Sequence, residues 1–204
     1  VDAMGATRLH VACQNGDLDV VKVLLQNKHI QVNQPVKWNG LTPLLMACDK
    51  NHTSIVKVLL QAKGIQVNQN GGGMGVTPLL ISCARGYSTC VRALLQYSSD
   101  IQVNQQDHHG LSPLFLSCKY GYLDIVNMLL ESQDIEINKH SCFYEQVTPL
   151  FIACDKGHVE IVRLLLSQPN IDINQPKYDG NSPLSTAIIK HHDEIVQLLK
   201  DAGA

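Results

Sequence analysis

Apolar residues along the chain recur in short bursts with helical spacing. From Thr148 the run TPLFIACDKGHVEIVRLLL places Leu150, Ala153 and Cys154 at i, i+3 and i+4, one face of a short helix. Ile161, Val162, Leu165 and Leu166 then supply the apolar face of a second helix. Thr148 before Pro149 puts a side-chain oxygen at an N-cap and a pre-set φ at the first helical position. Gly157 predicts the end of the first helix, because a left-handed terminal residue is easiest without a Cβ. A short extended run, Ile171-Asp172-Ile173-Asn174, follows the second helix.

The same string returns as TPLLMACDKNHTSIVKVLL from Thr42, TPLLISCARGYSTCVRALL from Thr77 and SPLFLSCKYGYLDIVNMLL from Ser112, with looser copies from Thr7 and Ser182. The starts lie 35, 35, 35, 36 and 34 residues apart. A fixed period of this size marks a stacked repeat architecture: one helix pair cannot bury its apolar face, and six stacked pairs can.

The pattern G-x-T-P-L-x-x-A-x-x-x-G, then V-V-x-x-L-L, then V-N, resembles the ankyrin repeat over residues 5–204. The resemblance implies an all-α repeat solenoid of stacked helix-turn-helix units with β-hairpin finger loops. It implies one domain over residues 1–204, with repeats at about 5–39, 40–74, 75–109, 110–145, 146–179 and 180–204. The departures are local. Arg8 stands for the Pro in the first copy, Gln146 for the turn Gly in the fifth, and Asn51 and His191 for the Gly that ends the first helix. Asn tolerates the left-handed region, so Asn51 is a mild change; His191 leaves the form of the sixth turn open. The first copy, without its Pro, and the sixth, with its more polar inner helix, suit terminal caps.

Composition narrows the function classes. With 45% hydrophobic residues the chain can build a continuous core. A net charge of −2 argues against broad nucleic-acid or anionic-membrane binding, which needs a basic field. No run of 18 apolar residues and no signal peptide are visible. Five of the seven cysteines, Cys13, Cys48, Cys83, Cys118 and Cys154, occupy one repeat position. Equivalent residues in adjacent repeats should lie about 8–10 Å apart, beyond the reach of a disulfide. They read as small buried hydrophobes in a protein of a reducing, cytoplasmic compartment.

No catalytic or phosphate-binding motif occurs, so neither an enzyme nor a cofactor is expected. His108, His109, His140 and Cys142 fall in adjacent fingers, and His140-x-Cys142 could chelate. A metal needs three or four converging ligands, however, so polar tips facing solvent or a partner are the preferred reading.

The loops QPVKWN, QNGGGM, QQDHH, KHSCFYE and QPKYD differ most from copy to copy, as recognition loops on a rigid scaffold do. The Gly71-Gly72-Gly73 tip should be the most mobile. In the ankyrin family, partners meet the finger tips and two residues late in each inner helix. The resemblance therefore implies a protein or acidic peptide bound on the concave face by Trp38, Asp49, Lys50, Arg85, His108, His109, Lys119, Tyr120, Tyr144, Lys156 and Tyr178. Lys50, Arg85, Lys119 and Lys156 recur as a basic strip that Asp49 and Asp155 interrupt. The expected protein is a monomeric interaction scaffold with no nucleic-acid or membrane partner. The alternatives are a regulatory segment of a larger enzyme, or a substrate of an asparagine hydroxylase. The family resemblance suggests the latter at Glu136-Ile137-Asn138 and Asp172-Ile173-Asn174.

Overall fold

The computed structural model describes residues 5–143 and 146–204. It divides into two compact units, Val1–His108 and His109–Ala204. The first unit holds three helix pairs: α1 (Arg8–Asn15) with α2 (Leu18–Leu25), α3 (Pro43–Asp49) with α4 (Thr53–Leu60), and α5 (Pro78–Arg85) with α6 (Ser88–Tyr97). The second holds α7 (Pro113–Tyr120) with α8 (Leu123–Leu130), α9 (Pro149–Lys156) with α10 (Val159–Leu166), and α11 (Pro183–Ile189) with α12 (Asp193–Asp201). Within each unit, inner helices pack on inner helices and outer on outer: α1 on α3 on α5, and α7 on α9 on α11.

Each inner helix starts as its Thr/Ser-Pro signal dictates. Thr42, Thr77, Ser112 and Thr148 are extended, and each hydroxyl accepts the N–H three residues on, at 3.1–3.2 Å. In the Pro-less first copy Thr7 still caps the helix, and the His10 ring returns to the Thr7 N–H at 3.0 Å. Ser182 and Ser185 form the matching box in the sixth.

The helix ends keep one backbone whatever the residue. Gly157 ends α9 at φ 74°, and Asn51 and His191 take φ 58° and 57° at the equivalent place. The sixth turn is therefore regular, and His191 carries its strain, as does Gln146 at φ 64°. A Cβ on Gly157 would lie 2.8 Å from the His192 ring, which would have to shift to admit it.

All five register cysteines are free and fully buried, as is Cys90. Burial pushes the Cys13 and Cys154 thiols up to about 12, and Cys48, Cys90 and Cys118 upward as well. They stay protonated and unreactive at neutral pH. Where serine replaces the buried alanine beside them, its hydroxyl is satisfied locally: Ser82 donates to the Pro78 carbonyl and Ser117 to the Pro113 carbonyl, both at 2.8 Å.

The fingers close by backbone hydrogen bonds rather than long strands. The Gly71 N–H donates to the Val76 carbonyl at 2.9 Å and the Ser141 N–H to the Val147 carbonyl at 3.0 Å. Among the described residues only Gly71 and Val76 pair as a β-bridge. Three asparagines tie their loops to the next repeat. The Asn33 amide donates to the Gly64 carbonyl at 2.7 Å and accepts the Gln66 N–H at 2.9 Å. Asn68 does the same with Asp100 and Gln102, and Asn138 with Asn170 and Asp172.

The end repeats are not polar caps throughout. Val11, Val20 and Val23 of the first copy are 47–65% exposed. Ile188, which occupies the cysteine register position in the sixth, is 51% exposed, whereas the five cysteines are at 0%.

Candidate partner-binding surface

Each inner helix begins directly after its finger, and in the second unit residues late in α7 and α9 line one groove with residues of the fingers. In the first unit the corresponding residues are largely self-satisfied. The Arg85 guanidinium bonds the Asp49 carboxylate at 2.9 Å, and Lys50 lies 3.6 Å from the same group. One carboxylate thus serves two cations, so the anticipated basic strip is partly neutralised here, by exposed pairs of modest energetic weight. His108 is exposed but engaged: its Nδ1 donates to the Gly73 carbonyl at 3.0 Å, and its ring covers Gly75, where a Cβ would meet it at 2.6 Å. Its backbone N–H also donates to the Met74 carbonyl at 2.9 Å. The ring closes the glycine finger rather than reaching outward. Trp38 is 69% exposed.

The second unit differs. Phe143 is 69% exposed at the finger tip, with the His109 ring set edge-on to it at 5.2 Å between centroids. Tyr120 is 48% exposed, and the Lys119 ammonium lies 5.6 Å from its ring centroid. Tyr178 is 84% exposed. Tyr144 lies outside the described residues.

Between the end of α7, α9 and the two flanking fingers runs a groove of about 450 Å³. Its apolar side is formed by Phe143, Val147, Phe151 and Ile152, and Lys119, Lys156 and Lys177 stand around it with Asp155. Asp155 pairs with Lys156 at 2.8 Å and with Lys190 at 3.7 Å. Burial pushes its carboxyl up, but the two lysines outweigh that and hold it below the usual range. Lys177 pairs with Asp179 at 2.7 Å.

Sequence reasoning singled out Lys119 and Lys156 but not Lys177 or the apolar floor. Lys177 sits in a loop of no fixed register, and Phe151 and Ile152 read simply as core. The histidines and Cys142 do not converge: among the described residues no group of three metal-binding side chains gathers. Asn138, one of the asparagines in an acidic-apolar-Asn triplet, has both ends of its amide engaged with the next repeat. No helix among the described residues is long and apolar enough to cross a membrane.

The comparisons agree with this architecture. No curated protein matches the chain. Among solved structures, an ankyrin repeat domain from Acinetobacter baumannii AYE aligns at 27% identity over 96% of this chain and 97% of its own, with a TM-score of 0.86. The ankyrin repeat domain of Bcl-3, a member of the IκB protein family, aligns at 26% identity over 98% of this chain and 87% of its own, also at 0.86. EF0377, an ankyrin repeat protein, aligns at 26% identity over 98% of both chains, at the same score. The family model described as "Ankyrin repeats (3 copies)" matches at residues 1–71, 68–141 and 133–204. With those matches running from one end to the other, and with the capped helix pairs they require in place, the chain belongs to the ankyrin repeat family.

Proposed function

We propose that the chain is a non-catalytic interaction scaffold. It binds a protein or an acidic peptide through the inner-helix ends and finger tips of its repeats, the side the family resemblance makes concave. The observation that carries this reading is the exposure of large aromatics at those places: Trp38 at 69%, Tyr120 at 48% and Tyr178 at 84%. Aromatics of this kind are the usual anchors of an interface. Capped, hydrogen-bonded repeats hold them in place, so little ordering entropy is lost on binding. The buried, free thiols favour a reducing compartment, and the slightly negative net charge favours a protein partner over nucleic acid. The protein acts as a monomer.

The test starts from proteins retained by the chain from source-cell extract. A retained protein is purified, and its binding to Trp38→Ala, Tyr120→Ala and Arg85→Ala is measured after each variant shows an intact melt. Loss of an aromatic anchor should cost about 2 kcal/mol or more of binding. Arg85→Ala should mainly slow association at low salt, with Asp49 left to Lys50 alone. Wild-type binding by all three variants would move the site off this side of the molecule.

A further inference from the structure

We infer that copies of this chain stack end to end, the trailing face of the last helix pair of one copy seating on the leading face of the first pair of another. The two faces are the halves of one interface that the chain builds repeatedly inside each unit. There, α3 packs on α1 and α5 on α3, α9 packs on α7 and α11 on α9, and the outer helices follow the same order. Where a pair meets its successor, the register cysteine faces the next outer helix. After burial itself, the Cys90 thiol on α6 is what pushes the Cys48 thiol on α3 upward. Cys90 stands in its repeat where Val20 stands in the first.

Both halves are bare at the two ends. Val20 is 47% exposed, whereas its equivalents Ile55, Cys90, Ile125, Ile161 and Ile195 are at 0–2%. With Val11 and Ala12 it lines a groove of about 520 Å³ on the first pair. At the other end Ile188, 51% exposed, takes the place of cysteines that are at 0%. Leu184, one turn earlier on α11, and Val196 on α12 are half-buried, although the residues at their positions in the other five repeats are at 0–1%. An end repeat that faces water carries polar residues at such positions. Here they are apolar, and covering them removes that surface from water.

The register specifies the occupant. The leading face receives whatever the cysteine position presents, and Ile188 is the apolar residue at that position. A second copy supplies the missing half at either end with the polarity used inside the units. Two like ends would set Ile188 against Ile188, a pairing found nowhere within either unit. The contact is heterologous, so each added copy leaves one bare face and the stack extends. The monomer of the scaffold reading is the dilute species and stays the binding unit.

Sedimentation of the intact chain from about 1 µM to about 1 mM covers the affinities of such small contacts. The weight-average mass should climb with concentration from the monomer's 22.5 kDa. Val20→Lys and, separately, Ile188→Lys put a charge on one face each, and each should hold the chain at 22.5 kDa with its melt unchanged. An equimolar mixture of the two variants should recover association and stop at about twice that mass, because one intact leading face and one intact trailing face remain. A wild-type chain that stays at 22.5 kDa throughout would overturn the proposal and leave the faces to another occupant, such as a further helix pair. Association that survives in either variant alone would mean that like ends meet, and a mixture that stays monomeric would rule out complementary ends; both results sink it. The partner assay leaves Val20 and Ile188 unaltered, so the two readings fail separately.

Discussion

The finger preceding α5 and the finger preceding α9 are built on one plan and finished differently. Both close through the same kind of hydrogen bond, Gly71 to Val76 in the first unit and Ser141 to Val147 in the second. In the first unit the tip is Gly71-Gly72-Gly73, and the backbone itself is the packing surface: a Cβ on Gly71 would lie 2.6 Å from the Gly40 carbonyl oxygen. In the second, the buried Ser141 hydroxyl donates to the His109 carbonyl at 3.0 Å, and Phe143 projects beyond it. The charges, by contrast, are arranged alike: Asp49 is shared by Arg85 and Lys50, and Asp155 by Lys156 and Lys190. A repeat scaffold thus fixes position and leaves chemistry free. One finger packs glycine backbone against its neighbour, and the other anchors a buried serine beneath an exposed Phe143.

If the scaffold is common to both units, equivalent core truncations should hurt equally. Leu44 and Leu114 are each 1% exposed. Leu44→Ala and Leu114→Ala should each cost about 2–5 kcal/mol in urea melts, through lost transfer energy plus a cavity. A marked inequality would show that one unit, not the repeat, sets the stability. The fingers should respond next. Gly71→Ser should destabilise by about 1–3 kcal/mol, because its Cβ meets backbone that cannot swing aside. Ser141→Gly should lose one buried hydrogen bond, about 1 kcal/mol.

A smaller contrast separates two turns. His191→Gly should stabilise by about 0.5–1 kcal/mol by relieving left-handed strain. Asn51→Gly should gain less, since Asn tolerates that region. Equal gains would mean the ring of His191 is not the source of strain. The faintest effect lies in the last finger. Lys177, with the Asn181 N–H, holds the Asp179 carboxyl down to about 2 from an ordinary 3.8. The folded value lies below the unfolded one, so this contribution is present above pH 3.8 and fades as pH falls towards 2. An NMR titration of Lys177→Ala should show Asp179 moving back towards its ordinary range.

Much of the scaffold was legible because each instruction is local. Thr148-Pro149 specifies a helix start and Gly157 its end, within the dozen residues that the hydrogen bonds themselves span. Cys118 could be placed in the core from its register alone. The surface was less legible, because it depends on which residues meet across repeats. Arg85 and Asp49 are 36 residues apart, and their pairing neutralises what reads in the sequence as basic. His108 reads as an available tip, yet it lies over a glycine whose bareness its ring requires. Lys177 and Phe151 become one site only when a loop and a helix are folded side by side.

The asparagine clasps carry a consequence for chemical ageing. Deamidation of Asn33, Asn68 or Asn138 replaces a nitrogen that donates to a carbonyl at 2.7 Å with an oxygen, while the other oxygen still accepts its backbone N–H. One bond is lost and two oxygens are left facing each other, at a cost of about 1–3 kcal/mol. Because the clasp is the same at all three places, old protein would accumulate the same lesion at each of them, each one loosening a repeat from the next.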